Sequence, residues 1–293
     1  MDKNEIKERF KNLTVWKRGG ERSPHKALLS LYAIGKLIQK KERLIPYQEI
    51  DEYLTKLLVD FGPNRKAYHP EYPFWRLQKD HIWEVNNGGQ LKETSSGDVK
   101  KKDLIFYQVN GGFSEDVFNQ LCNDKQLVID VVQELLNDNF PSTIHEDILQ
   151  SIGIDIFSVK RKRDPEFRER ILRAYEYKCA ICGFNVRINH IPIALEAAHI
   201  QWFQAGGPDI ETNGLALCAL HHKLFDRGAL TISENLEIMV SDRANGTQGF
   251  NEWLMKFHGN KLKLPQRQEY LPDNNFRDWH IREVFQGSYR EIK

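Results

Sequence analysis

Cysteine is scarce in this chain of 293 residues: there are four, and three of them fall between residues 179 and 218. So few thiols exclude a disulfide framework and fit a reducing compartment. Long apolar runs are missing as well. None approaches the ~20 residues needed to cross a bilayer, and the opening Met-Asp-Lys-Asn-Glu-Ile-Lys lacks the apolar core of a secretory signal. A soluble, cytoplasmic protein is expected. The chain has no internal repeat, no low-complexity segment and almost no net charge, at +1, so the global balance names no polyanionic partner. What it does have is 40% hydrophobic residues, with six Trp, ten Tyr and sixteen Phe, enough for packed cores in two domains.

Charge is uneven locally. Residues 3–44 carry twelve Lys or Arg against four Glu, and residues 158–190 carry nine against four acids. Residues 115–155 form the counterweight, with nine acids and one Lys. A basic stretch is most often a solvated face. Two such stretches separated by an acidic one suggest phosphate attraction, which is screened over roughly 10 Å.

Hydrophobic spacing predicts a helix over 4–13, a second opened by Ser23-Pro24, and a third opened by Pro46 with Ile50, Leu54, Leu57 and Leu58 on one face. Residues 74–77 and 81–85 read as two short strands in an aromatic, Pro-punctuated stretch. Further helices are expected at 124–137 and 142–151. The segment around 151–163, with Lys160-Arg-Lys-Arg, reads as the interdomain connection. Asp164-Pro165 opens a helix to about residue 177, residues 229–240 read as a hairpin, and 251–258 and 275–285 read as closing helices. The expected class is α+β, with a mixed α/β domain over 1–155 and a second domain over 156–293.

The block 179–228 carries the chemistry. Cys179-Ala-Ile-Cys182-Gly is a metal knuckle, and Cys218 and His221 repeat its two-residue gap, giving a Cys3His set suited to a structural zinc. His221 and His222 are adjacent on an expected helix, so their side chains diverge by about 100° and cannot serve one ion together. Asp226 lies one turn on, on the face of His222. His199 ends a strand-like segment over 191–200; a Gly-rich loop, then Asn213, a short strand and the His-bearing helix follow.

This strand, loop, strand, helix order, with the phrases EAAHI and NGLALCALHHKLFDRG, resembles the HNH (ββα-metal) endonuclease family over about 179–228. The resemblance implies a zinc-stapled scaffold and three working residues. His199 would be the general base that activates water, and Asn213 would fix the loop that positions it. His222, with Asp226, would hold a catalytic Mg²⁺ or Mn²⁺. Many members carry a second metal ligand immediately before the base, where this chain has Ala198. Glu196 is a further candidate ligand, which strand alternation points away from His199.

In the first half, Arg22-Ser-Pro-His-Lys26-Ala-Leu-Leu and His69-Pro-Glu-Tyr-Pro-Phe-Trp-Arg-Leu77, followed by Ile82-Trp-Glu-Val, are similar to the sulfur-binding domain of phosphorothioate-dependent, McrA-like type IV restriction endonucleases. That family places the reader before an HNH module, the order found here. Sulfur in place of a phosphate oxygen makes a larger, softer, poorly hydrated patch. Reading it needs an apolar nook beside cations. Tyr72 and Pro73, with His69 and Pro70, would line the nook. Arg18, Arg22, His25 and Lys26 would grip backbone or bases of double-stranded DNA. The readings left beside it are an HNH nuclease directed to a methylated or otherwise altered base, and a non-catalytic zinc-stabilised DNA-binding protein. Cutting both strands with one site per chain would favour a homodimer.

Overall fold

A computed structural model describes residues 2–13, 23–154 and 165–291. The chain divides into two units, Met1–Val159 and Lys160–Lys293. Arg18, Arg22 and most of the expected connection, including Lys160-Arg-Lys-Arg, lie outside the described residues.

In the first unit, α1 (Lys3–Lys11) is capped by the Asp2 carboxylate, which accepts from the Glu5 amide at 2.8 Å. Helix α2 (His25–Lys40) is apolar on nearly every side and runs through the core, with Leu28, Leu29, Leu31 and Ile34 fully enclosed. Strand β1 (Leu44–Pro46) leads into α3 (Tyr47–Phe61), and α4 (Glu71–Arg76) continues as a 3₁₀ turn over Leu77–Asp80. Then come β2 (Trp83–Asn86), α5 (Lys101–Phe106), β3 (Asn110–Phe113), α6 (Glu115–Asn123), α7 (Lys125–Asn139) and α8 (His145–Ser151). The sheet is antiparallel in the order β1-β3-β2. Its centre is the Asn-Gly-Gly-Phe strand. Glycines there are required by close approach, since a Cβ on Gly112 would sit 1.6 Å from the Arg43 carbonyl oxygen.

The strand expected over 74–77 is helix instead. Pro73 occupies the first turn of α4, where its missing N–H costs no bond, and Phe74 and Leu77 fall three apart on the buried side. A short apolar run satisfies either period, and here the helical one wins.

The second unit begins with α9 (Pro165–Ala174), which stops short of residue 177 because Glu176 and Tyr177 take left-handed φ of 53° and 55°. The hairpin β4 (Arg187–Ile188) and β5 (Ile191–Pro192) precedes β6 (Leu195–His199). The expected continuous strand over 191–200 is therefore broken, at Ala194 with φ 51°. Strand β6 pairs antiparallel with β7 (Gly214–Cys218), His199 opposite Gly214, and α10 (Ala219–Asp226) follows at once. The hairpin β8 (Leu230–Ile232) and β9 (Ile238–Val240), then α11 (Gln248–Trp253) and α12 (Asn274–Glu283), complete the unit. Helix α9 packs on β6 and β7, and Ile171, Leu172, Leu195, Ala198, Leu215, Leu217 and Phe225 form its core.

Candidate functional site

Cys179, Cys182, Cys218 and His221 converge, with all four ligand atoms within 4.8 Å of one another. The Cys182 and Cys218 sulfurs are 4.0 Å apart, and His221 Nδ1 lies 3.1 Å from Cys218 Sγ and 3.7 Å from Cys179 Sγ. Zinc–sulfur bonds of about 2.3 Å in a tetrahedron put sulfurs about 3.8 Å apart, so the set fits zinc. The knuckle is tied by the Gly183 amide donating to the Cys179 carbonyl and the Cys179 amide to that of Phe184. His221 Nε2–H donates to the Trp253 carbonyl at 2.9 Å, which leaves Nδ1 facing the sulfurs. Hydrogen bonds from Cys182 and Cys218 hold the Cys179 thiol well below its ordinary range. Burial works to lower His221; the Cys179 and Cys182 sulfurs outweigh it and lift the imidazole to about 9.

His199, at the end of β6, puts Nε2 2.6 Å from Asp209 Oδ1, and its ring lies flat on Phe167 with centroids 4.2 Å apart. Burial pushes His199 below the usual imidazole range, and the Asp209 carboxylate pulls the other way. Asn213 is fully enclosed and makes three hydrogen bonds across the intervening loop. Its Oδ1 accepts from the Gln201 amide at 2.8 Å, and its Nδ2 donates to the carbonyls of Gln201 and Pro208, each at 3.0 Å. Gly207 permits this closure, since a Cβ there would meet the Gln201 oxygen at 1.8 Å.

His222 points away from the sulfur cluster. Its Nδ1 lies 2.6 Å from Glu196 Oε2, and its Nε2 lies 3.1 Å from Asp226 Oδ2. Asp226 is enclosed and Glu196 is partly open to solvent. Burial would lower the His222 pKa; the Asp226 and Glu196 carboxylates overcome it and raise it to about 9. The two adjacent histidines thus serve different neighbourhoods, and Glu196 reaches His222 while His199 reaches Asp209. Asp209 has no mark in the sequence beyond Gly206-Gly-Pro-Asp, an ordinary turn composition.

In the first unit, α2 packs on α4 and brings the two quoted phrases together. Tyr72 is exposed and stacks on His69 at 4.9 Å, and the Arg76 guanidinium also lies over the Tyr72 ring, at 4.8 Å. Arg76 is held by both carboxylate oxygens of Asp98, each at 2.6 Å. Pro70 and Pro73 are buried rather than lining the surface, and His25 is half-buried. Lys26 is buried too, its ammonium 2.5 Å from Asp80, so the cation expected on the surface of that turn lies inside. The basic stretch over 3–44 is likewise matched in part: Lys3 pairs with Asp124, Lys7 with Asp130, Lys36 with Glu49 and Arg43 with Glu84. The acidic counterweight folds onto the basic segment, because α1 packs on α7. Arg76 and Asp98 escaped the sequence reading, which had no reason to join positions twenty-two apart.

The family model for the ScoMcrA-like DNA sulfur-binding domain matches residues 3–157. The chain belongs to that family. A second family model, HNH endonuclease, matches residues 179–233, so the sulfur-binding domain is followed by an HNH domain that contains the Cys3His cluster. Among solved structures, the family's member ScoMcrA is represented by a sulfur-binding domain complexed with phosphorothioated DNA. It is 22% identical, with 50% of this chain and 94% of that one covered at a TM-score of 0.45. The structure of ScoMcrA as a type IV phosphorothioation-dependent restriction endonuclease is 21% identical, with 55% and 32% covered and a TM-score of 0.41. The modification-dependent TagI restriction endonuclease is 24% identical, with 45% and 41% covered and a TM-score of 0.29. No curated protein matches the chain.

Proposed function

We propose that this protein is a modification-dependent DNA endonuclease of type IV restriction, one that binds phosphorothioated duplex through its first domain and hydrolyses phosphodiester bonds with its second. The observation that carries the reading is the pairing, in one chain, of a sulfur-binding domain with an HNH domain whose His199, Asn213 and His222 occupy one β6-β7-α10 unit. In the reader, Tyr72 with His69 offers an apolar and aromatic face, Pro70 and Pro73 shape the helix beneath it, Arg76 stands beside it and His25 opens α2. Arg18 and Arg22 supply further cations to the backbone. Lys26, bound to Asp80, holds α2 against the Leu77–Asp80 turn.

In the nuclease, His199 takes a proton from the attacking water through Nδ1, the ring nitrogen left open when Nε2 faces Asp209. Asn213 fixes the loop that carries Asp209. Glu196 lies at Nδ1 of His222 and Asp226 at Nε2, on opposite edges of the ring, so a hard divalent ion would be held by the imidazole together with the Glu196 carboxylate. Mg²⁺ or Mn²⁺ held there would supply charge stabilisation to the scissile phosphate and the leaving oxygen. Ala198 is then explained by the period of the strand. Glu196 lies two residues back on the same face of β6 and takes the place of the ligand that other members carry beside the base. Asp226 orients His222 from the opposite edge. His199→Ala tests the base directly: cleavage should fall by about 10²- to 10⁴-fold with binding of modified duplex retained. Full residual cleavage would remove His199 from that role.

A further inference from the structure

The loop between β6 and β7 is a built device. His199 stands at its start and Asp209 within it, and their side chains meet at 2.6 Å across ten residues. Asn213 bolts both ends of the intervening chain: it binds the amide and carbonyl of Gln201, two residues after the histidine, and the carbonyl of Pro208, the residue before the aspartate. Arg170, from α9, adds a third tie by donating to the Asp209 backbone carbonyl at 2.7 Å and pairing with Glu211 at 3.2 Å. Phe167, from the same helix, covers one face of the imidazole. The ring is therefore held on one face and at one nitrogen.

We propose that Asp209 is the positioning residue for His199, and that Asn213 acts on the reaction through the Asp209–His199 pair rather than by touching DNA. The inference rests on the reading of His199 as the base. A neutral imidazole has one proton to place. The Asp209 carboxylate, an acceptor only, draws it to Nε2 and leaves the Nδ1 lone pair for water. The same carboxylate stabilises the imidazolium formed when that proton arrives. An asparagine at 209 keeps the volume but can present its amide N–H to Nε2, which places the ring proton on Nδ1 and blocks the base.

The test uses the full chain and four readouts. Ring ¹⁵N chemical shifts assign the His199 tautomer: the wild type should hold the proton at Nε2, and Asp209→Asn should transfer population to Nδ1. Cleavage of phosphorothioated duplex with Mn²⁺ should fall roughly 10²- to 10⁴-fold in kcat for Asp209→Asn, with affinity for the same duplex unchanged. The acid limb of its pH–rate profile should move to lower pH. That sign follows because Asp209 and Asp226 favour the imidazolium and His222 opposes it, and the substitution deletes the nearest of the anions. The double variant Asp209→Asn/Asn213→Ala should lose little more than the worse single variant, because both act through one pair. An unchanged tautomer, or a wild-type rate and pH limb in Asp209→Asn, overturns the proposal while leaving His199 as base. If the wild type cleaves nothing, the nuclease reading fails, and the tautomer still decides the pairing.

Discussion

Replacing Lys26 with Met should cost this protein about 3–5 kcal/mol, as breaking one side of a buried ion pair does elsewhere. The magnitude follows from burial: the Lys26 side chain is 9% exposed and that of Asp80 is 2%, with nitrogen and oxygen 2.5 Å apart. Met preserves length and apolar bulk, so the loss is the buried Lys26–Asp80 ion pair rather than a cavity. Domains of this size are stable by only about 5–15 kcal/mol, and about a fifth or more of that margin would vanish from the unit that carries the reader. Urea unfolding of the full chain, followed by hydrogen exchange at the α2 amides, reads the effect where it occurs. Lys26→Met/Asp80→Leu should recover most of the loss, because an apolar pair removes both charges together. A cost under about 1 kcal/mol for the single variant, the value of an exposed pair, would refute the burial argument. Affinity for phosphorothioated duplex separates structure from contact: the double variant should regain binding along with stability. Regained stability without binding would put the Lys26 ammonium on the DNA.

Stripping zinc with a strong thiol-competent chelator should release one equivalent per chain and abolish the second unit's cooperative transition while the first unit's persists; an unchanged melt would remove the metal from Cys179, Cys182, Cys218 and His221. Tyr72→Ala should weaken the preference for modified over plain duplex by about tenfold, near 1.4 kcal/mol, in gel-shift competition; an undiminished preference would move the sulfur nook elsewhere. Burial lowers His199, so its folded-state pKa lies below that of the unfolded chain. Its contribution to stability is therefore present above the unfolded imidazole range and lost as pH falls on through the lower folded-state value. The cleavage rate should in turn hold at pH values where a free imidazole is already protonated. An acid limb at or above the ordinary imidazole pKa would contradict that environment.

The ligand spacing in the second half was readable because zinc demands it. Two Cys and a Cys–His pair at equal gaps have few other uses, and adjacency on a helix separated His221 from His222 by geometry alone. The β6-β7-α10 order could be read for the same reason. What failed were features decided by packing. Phe74 to Leu77 fits a strand or a helix by pattern, and Pro73 in the first turn tipped it to helix. The central strand Asn110–Phe113 went unread, because Gly-Gly is poor strand composition and its glycine at 112 is required only by the close approach of the Arg43 carbonyl. The charge of residues 3–44 suggested a phosphate-binding face, but helix α1 lies on α7 and neutralises it in part. Asp209 and Arg76 depend on pairings across ten and twenty-two residues, which no local period encodes.

The most direct measurement sets two duplexes of the same sequence side by side, one carrying a single phosphorothioate, with the full chain and Mn²⁺. The modified duplex should bind at least about tenfold more tightly, some 1.4 kcal/mol, and should alone be cleaved, with that cleavage cut about 10²- to 10⁴-fold by His199→Ala. Equal affinity and equal cleavage of the two would contradict this.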